Sequence, residues 1–231
     1  MIPPRRTRIW VIDPSLNHPE NQGAAEILRG WSGDSRLFRP ALDGDGPSEA
    51  DGYGVDAAVL MGSAVSVHTE LPWLARLRTW LRPILTGEVP RPLLGICFGH
   101  QLIADMAGAR VGWLTDARKK RVGIEQTRVR NSRLLSENAD LRVVVSHRET
   151  VAEAPECYRT TASRPGVAFD GLEHESLEVF SYQFHPEARD EFAERVGIPV
   201  TEIDERLRRD SSLILDAFRR RCEAQKKRAG G

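Results

Sequence analysis

The sequence predicts an α/β protein: a mostly parallel open sheet flanked by helices, with an added small antiparallel portion. Two observations support this fold class. Up to about residue 107, apolar runs of strand length alternate with segments of helical periodicity. From about residue 110 to residue 179, short apolar strands follow one another without helices between them. Parallel strands need long crossovers, whereas consecutive strands pair most simply in antiparallel fashion.

Hydrophobic periodicity predicts each element of the alternating part in turn. In chain order we expect a buried strand over 7–13, a helix over 20–29, a short strand over 36–40, a strand over 55–61 and an amphipathic helix over 70–85. The loop over 43–54 is rich in Gly, Asp, Pro and Ser and should be exposed. The apolar stripe of the helix over 70–85 should contain Leu71, Leu74, Leu77, Leu81 and Leu85.

The remainder of the chain is predicted to form strands and then helix. We expect strands over 122–129, 141–145 and 160–162, followed by a charged helical segment over 188–224. The buried stripe of that segment should contain Leu207, Leu213, Leu215 and Phe218. Two basic clusters, residues 118–121 and 219–221, are expected to be solvated faces rather than binding patches.

Composition fits a globular protein of this class. The chain has 231 residues, of which 40% are hydrophobic and 29% charged, and its formal net charge is zero. Neither nucleic-acid nor membrane binding is therefore indicated. Cys97, Cys157 and Cys222 are few and widely spaced, which favours a reducing compartment over a disulfide framework. With no apolar stretch of signal-peptide or membrane-spanning length, we expect a cytoplasmic protein.

The strongest functional signal is the segment over residues 92–101, Pro-Leu-Leu-Gly-Ile-Cys-Phe-Gly-His-Gln. An apolar run ends in Cys97 between Gly95 and Gly99, and a helical pattern follows. A nucleophile elbow has this form, because its tight strand-to-helix turn needs small flanking residues. The helix N-terminus would direct free amides and a positive dipole end at the sulfur, which favours thiolate. The plain alternative is a buried core cysteine.

A matching base follows near the other end of the chain. Residues 178–187 alternate into a strand and stop at Pro186, which places His185 at a strand end, where catalytic groups of open sheets collect. Glu187 follows two residues later, a spacing that lets its carboxylate orient the imidazole if the chain is extended. The alternative is a surface His-Pro turn with a solvated glutamate. Cys97 could then act as the nucleophile, His185 as the base and Glu187 as the group that orients the base.

The two segments together resemble the class I (triad) glutamine amidotransferases, whose glutaminase domains carry G-x-C-x-G-x-Q and a late Q-F-H-P-E. The resemblance spans about residues 7–195 and implies a flavodoxin-like sheet. Residues 59–67 look like the family's early oxyanion loop, and residues 144–151 look like its S-H-x-D-x-V substrate segment. We expect a single domain over 1–231, in which the resemblance covers a core over about 7–195. The sequence pattern adds a helical C-terminal extension over about 196–225 and a frayed tail over 226–231.

Four positions depart from the family pattern. Ala64 stands where proline is common, and Glu149 replaces the usual aspartate. Arg148 lies where several members have glycine, and Arg121 lies two residues before Gly123, where an acidic residue is expected. These departures concern the substrate rather than the chemistry.

The resemblance implies hydrolysis of a γ-glutamyl amide, with glutamine as the default substrate. Cys97 would attack the side-chain carbonyl, and His185, oriented by Glu187, would move the proton. The remaining implied site residues are an oxyanion hole from Phe98, Gly62 and Ser63, and substrate-binding groups from Gln101, Ser146 and His147. No metal or organic cofactor is needed for this half-reaction.

Three functions remain open at this stage. The chain lacks a G-x-x-x-x-G-K-[ST] phosphate loop, so one function is a glutaminase that passes ammonia to a separate synthase. A second is a self-contained γ-glutamyl amide or peptide hydrolase, and a third is a catalytically silent regulatory or binding relative. Glutaminase activity of the chain, alone and with candidate synthases, would separate the three.

Overall fold

The computed structural model describes residues 6–229, including all side chains except those of residues 49 and 225–229. The strands are β1 Arg8–Ile12, β2 Asp34–Phe38, β3 Ala57–Leu60, β4 Leu93–Ile96, β5 Val111–Trp113, β6 Arg121–Val129, β7 Ala139–His147, β8 Glu149–Val151, β9 Tyr158–Arg164, β10 Val167–His174 and β11 Val179–Tyr182. The helices are α1 Asn21–Ile27, α2 Pro72–Leu85, α3 Phe98–Met106, α4 Asp190–Val196 and α5 Glu205–Ala229.

The main sheet has nine strands in the order β2-β1-β3-β4-β11-β10-β9-β6-β7. Pairing is parallel from β2 to β11 and antiparallel from β11 to β7. A separate two-stranded antiparallel sheet joins β5 and β8. This architecture confirms the predicted α/β fold class, and the antiparallel portion extends one edge of the parallel sheet.

The parallel strands are apolar on both faces because helices cover both sides of the sheet. Along β1, Ile9 and Val11 face one core, which includes Phe218 of α5, whereas Trp10 and Ile12 face the other, which includes Trp80 of α2. This alternation is the two-residue period of a strand. Pairing of β1, β3, β4 and β11 also brings their carboxyl ends to one edge, where ligand sites of open α/β sheets form.

Two predicted apolar stripes need correction. Leu71, which immediately precedes α2, and Leu85 are only partly buried, and the buried face of the helix also includes Trp73 and Trp80. The buried residues are Trp73, Leu74, Leu77, Trp80, Leu81 and Ile84. In α5, the prediction of a buried Leu213 is wrong, since this side chain is 45% exposed. The inward face follows helical spacing through Leu207, Ser211, Ile214, Leu215, Phe218 and Cys222, and position 213 falls outside it.

The second half of the chain contains more elements than predicted. Strands β5, β8 and β10 were not expected, and β6, β7 and β9 are longer than expected. The helical segment expected over 188–224 is interrupted after α4 by Gly197, whose φ of 80° ends the helix, and by Pro199. Helix α5 continues to Ala229, and residues 230–231 of the expected frayed tail lie outside the described residues.

The C-terminal basic cluster is not a purely solvated face, as its prediction supposed. Arg219 is buried and donates to the carbonyl oxygens of Glu26 and Ile27 at the end of α1. Arg221 ion-pairs with Glu178. Both arginines therefore attach α5 to the domain. Within residues 6–229, no helix has the length and apolar character needed to cross a membrane.

Candidate active site

Cys97 occupies a strained turn between β4 and α3. Its φ is 52° and its ψ is −99°, a backbone conformation that costs energy for a residue with a side chain. Its amide donates to the Tyr182 carbonyl at 2.8 Å, and its carbonyl accepts from the Gln101 amide at 3.0 Å. A Cβ on Gly99 would lie 2.2 Å from the Leu60 carbonyl oxygen. The expected need for a small residue at this position is therefore met.

His185 and Glu187 form a buried pair beside this turn. The distance from His185 Nδ1 to Glu187 Oε1 is 2.9 Å, and both side chains are almost fully buried. Residues 186–187 form a turn rather than extended chain, so the contact arises from the reversal that begins at Pro186. The His185 amide also donates to the Val144 carbonyl at 2.9 Å, which fixes the residue against β7.

The hydrogen bond to Glu187 leaves the other ring nitrogen of His185 available. A carboxylate accepts, so Nδ1 carries a proton, and Nε2 is the acceptor when the ring is neutral. Nε2 is buried and has no hydrogen-bond partner among the described residues. A Cβ added to Gly62 would lie 2.8 Å from His185 Cε1 and 3.5 Å from Cys97 Cβ. The imidazole and Cys97 therefore meet beside Gly62.

The charges around His185 favour its protonated form. Burial lowers the pKa of the ring, but Glu187 and Cys97 outweigh that effect and raise it from 6.5 to about 10. The imidazole is therefore cationic at neutral pH. A cation next to a cysteine sulfur favours thiolate, the nucleophilic form.

A cavity of about 320 Å³ opens onto these side chains. It brings together nearly all of the sequence-predicted site residues: Gly62, Ser63, Cys97, Gln101, Ser146, His147, His185 and Glu187. The side chain of Phe98 is buried in the core against Trp73. Its backbone amide begins α3 and, like the other first-turn amides of a helix, lacks an intrahelical acceptor. The backbone of Phe98 can therefore serve as an oxyanion donor while its ring serves packing.

The loop over residues 62–67, hereafter the Gly62 loop, is tied to neighbouring segments. Ser63 Oγ donates to the Pro14 carbonyl at 2.7 Å, and the Val65 amide donates to Ser63 Oγ at 3.2 Å. Ser66 Oγ donates to Glu149 Oε1 at 3.0 Å. These bonds attach the loop to the segment after β1 and to β8.

Gly62→Ala should displace the imidazole, because the new methyl group would overlap His185 Cε1. We expect kcat/KM for a substrate of this site to fall roughly 100-fold, as small misplacements of reacting groups do. Gly112→Ala is the matched control, since a Cβ there meets no atom within 4 Å. Steady-state kinetics and thermal unfolding of both variants test this. Equal kcat/KM for the two variants would contradict the geometry.

The side chains of Gln101 and His147 are each held by more than one hydrogen bond to neighbouring residues. Gln101 Nε2 donates to the Glu149 carbonyl at 2.8 Å and to Gln183 Oε1 at 3.0 Å. Gln183 Nε2 lies 3.6 Å from Cys97 Sγ. Both ring nitrogens of His147 are also engaged, Nδ1 with the Glu149 carbonyl and Nε2 with a buried arginine. His147 therefore shapes the cavity wall through its neighbours.

Two other histidines near Cys97 are unsuited to act as the base. His100 is bonded through both ring nitrogens, to Ser181 Oγ and to the Phe169 carbonyl, and burial lowers its pKa to about 3. Burial also lowers the pKa of His147 to about 4, with further contributions from the charges of Arg164 and His185. Of the three, His185 alone keeps a ring nitrogen unpaired among the described residues.

Sequence reasoning missed the segment after β1, which forms another wall of the cavity. Asp13 is buried and accepts bonds from the Ser15 amide, Ser15 Oγ and the Glu20 amide, which fixes this loop. Glu20 ion-pairs with Arg195 of α4, and burial raises its pKa. The position of the loop at the carboxyl end of a parallel strand was the signal that could have identified it.

Cationic and apolar groups outside the predicted set also line the cavity, among them Trp113, Lys120 and Arg148. Lys120 is exposed, as expected, but it also borders the cavity, where desolvation lowers its pKa and Cys97 opposes this shift. Within residues 6–229, no group of three His, Cys, Asp or Glu side chains is arranged to hold a metal ion.

Comparison with known proteins identifies the family of this chain. Residues 77–195 match the family model described as Glutamine amidotransferase class-I. This segment covers more than half of the chain and contains the Cys97 turn, His185 and Glu187. The chain belongs to the class I glutamine amidotransferases.

Individual relatives support the same assignment. Over 107 residues the chain is 35% identical to a subunit of the glutamine-hydrolyzing GMP synthase of Methanopyrus kandleri, covering 46% of this chain and 55% of the relative. Over 103 residues it is 38% identical to the corresponding subunit from Thermococcus kodakarensis, covering 42% and 50%. The matched segment thus spans about half the length of these curated relatives.

Solved structures share the fold. A glutamine amidotransferase from Thermotoga maritima superposes with a TM-score of 0.74 at 19% identity, covering 93% of this chain and 96% of that chain. A glutamine amidotransferase from Methylobacillus flagellatus gives a TM-score of 0.66 at 18% identity, covering 93% and 90%. At these identities, the likeness concerns the fold alone.

Proposed function

We propose that this chain hydrolyses the side-chain amide of glutamine through a thioester on Cys97 and passes the ammonia to a separate synthase. The observation behind this proposal is the contact between His185 and Glu187. It leaves Nε2 of His185 without a hydrogen-bond partner among the described residues, in a cavity that Cys97 also lines. The strained turn at Cys97 and the family membership also support it.

In the first half-reaction, the Cys97 sulfur attacks the side-chain carbonyl carbon of glutamine. The carbonyl oxygen becomes an oxyanion, which the Phe98 amide and an amide of the Gly62 loop would stabilise. Loss of one such donor commonly costs about 3 kcal/mol of barrier. The proton held on His185 Nε2 is donated to the departing nitrogen, so that ammonia leaves and a γ-glutamyl thioester remains.

In the second half-reaction, water hydrolyses the thioester. His185 is neutral after giving its Nε2 proton to the departing nitrogen, so Nε2 can accept a proton from the attacking water. Glu187 keeps the other proton on Nδ1 and stabilises the imidazolium that forms. Collapse of the tetrahedral intermediate expels the Cys97 thiolate and releases glutamate, which restores the starting pair.

The acceptor is proposed from the relatives. Two of them are named as subunits of glutamine-hydrolyzing GMP synthases, so a separate GMP-forming synthase protein is the first partner to test. A glutaminase that serves a partner gains nothing from hydrolysing glutamine alone. We therefore expect slow turnover in isolation and activation on docking, with movement of the Gly62 loop, where Ala64 stands in place of a stiffening proline.

Steady-state kinetics test the function. Glutamine and γ-glutamyl dipeptides are supplied to the chain alone and with the candidate synthase. We expect weak glutaminase activity that rises with the partner. High kcat/KM on a dipeptide without a partner would favour a self-contained hydrolase, and no turnover under any condition would favour a silent relative.

Glu187→Gln should retain more activity than His185→Ala, because an orienting group costs less to remove than the base in some triads. The substitution should also lower the pKa of His185, since the carboxylate raises it. Kinetics of both variants and histidine NMR titration measure these effects. An unchanged pKa of His185 in Glu187→Gln would contradict the assigned role.

The same pair predicts a pH dependence of stability. Because the pKa of His185 in the fold lies above 6.5, the folded state binds this proton more tightly than the unfolded chain. The stabilisation of the folded state by protonated His185 is complete below pH 6.5 and is lost as the pH rises through about 10. The difference in unfolding free energy between wild type and Glu187→Gln, measured in urea, should therefore shrink between about pH 6 and about pH 10. A constant difference would contradict this.

A further inference from the structure

Arg164, the last residue of β9, has a fully buried guanidinium that the proposed chemistry does not use. Its Nε ion-pairs with Asp170 at 2.9 Å, and its Nη1 ion-pairs with Glu125 at 2.5 Å. The third nitrogen, Nη2, lies 2.6 Å from His147 Nε2. Burying such a charge is costly unless partners compensate for the lost water. Here, two carboxylates compensate, and one arm of the fork is directed at an imidazole.

The contact with Arg164 determines where the proton of His147 lies. A guanidinium only donates hydrogen bonds, so His147 Nε2 must be the acceptor and the proton must lie on Nδ1. Nδ1 in turn donates to the carbonyl oxygen of Glu149 at 2.8 Å. The lowered pKa of His147 agrees with a neutral ring.

The Glu149 carbonyl connects this arrangement to the cavity. It also accepts from Gln101 Nε2 at 2.8 Å, and Gln101 Nε2 contacts Gln183 Oε1 at 3.0 Å. Gln183 Nε2 lies 3.6 Å from Cys97 Sγ. Arg164 itself is not among the residues that line the cavity. Its influence on substrate must therefore be indirect, and His147 and Glu149 connect it to the cavity wall.

We propose that Arg164 is a positioning residue: by holding His147 in its Nδ1-protonated tautomer, it sets the wall over residues 146–149 and the amide orientation of Gln101. This inference rests on the proposed function, since it takes glutamine to be the molecule that lies against this wall. Lysine could not replace Arg164, because a compact ammonium cannot reach Asp170, Glu125 and His147 with a planar fork.

Arg164→Lys tests this proposal against Arg133→Lys. Arg133 is a matched control, because it also makes several bonds, to the carbonyls of His174, Glu175 and Leu177 and to Glu178. None of these residues lines the cavity. We expect Arg164→Lys to lower kcat/KM for glutamine roughly 10- to 100-fold, mainly through KM, and Arg133→Lys to leave it near the wild-type value.

Histidine NMR reports the tautomer of His147, which would not change if Arg164 only stabilised the fold. In wild type, the ¹⁵N spectrum should show His147 as the Nδ1-protonated tautomer, assigned by loss of its signals in His147→Ala. In Arg164→Lys, this tautomer should lose its dominance. An Nε2-protonated His147 in wild type would overturn the proposal, and this measurement decides even if the Arg164 variants do not fold.

The kinetic outcomes separate the two claims. An Arg164→Lys protein that is folded and keeps wild-type kcat/KM and KM would overturn the positioning role. A wild-type chain without glutaminase activity under any condition would contradict the proposed function instead. In that case, the tautomer of His147 would still show whether Arg164 holds the His147 ring as proposed.

Discussion

Cys97→Ala is expected to lower glutamine turnover by roughly four to six orders of magnitude, as loss of a catalytic nucleophile does, and to leave the fold unchanged. The substitution removes the sulfur alone, and alanine adds no atom to the crowded turn between Gly95 and Gly99. Residual turnover would come from the remaining donors and from binding. Single-turnover and steady-state glutaminase assays measure the loss, and thermal unfolding checks the fold.

Cys157→Ala is the matched control for this substitution. Cys157 also has a positive φ, 61°, but it is exposed and lies away from the cavity. Any general effect of replacing a cysteine in a strained backbone conformation should therefore appear in both variants. Comparable turnover for Cys97→Ala and Cys157→Ala would rule out Cys97 as the nucleophile.

His185→Ala is expected to lower kcat by several orders of magnitude. Without the imidazole, the site loses the group that would move the proton between the sulfur, the departing nitrogen and water. His147→Ala should act more on KM, because the His147 ring holds the Glu149 carbonyl and lies in the cavity wall. Full kinetic profiles of both variants test this division of roles.

The folded state of His185→Ala needs its own check, because the substitution leaves the buried Glu187 carboxylate unpaired. His185→Gln is a second variant, since its amide can still donate to Glu187. Both variants should be folded and nearly inactive. Equal losses of kcat in the His185 and His147 variants would contradict the assignment of His185 as the base.

The turn at Cys97 and the pair of His185 and Glu187 could be predicted because their causes are local. A glycine two residues to either side of Cys97 is required by the close approach of neighbouring backbone. Likewise, His185 and Glu187 meet within one turn. The parallel order of strands followed from alternation of strand and helix along the chain.

Arg164 could not be predicted, because its contact with His147 is not local in the sequence. The two residues are 17 positions apart, and they lie on β9 and β7, which are not neighbours in the sheet. No short motif records that contact. Leu213 was misplaced for a different reason: a run of apolar residues in α5 does not show by itself which of them faces the sheet.

The central claim, that Cys97 attacks the glutamine side chain, is tested most directly by covalent labelling. The chain would be treated with an electrophilic glutamine analogue such as a diazo-ketone, and the modified peptide would be mapped by mass spectrometry. Cys157 is exposed and Cys222 is buried with its pKa raised by burial, so of these two a simple alkylating agent should favour Cys157. The glutamine analogue should instead label Cys97 alone, with protection by glutamine. A label on Cys157 or Cys222, or labelling of Cys97 that glutamine does not prevent, would contradict the account.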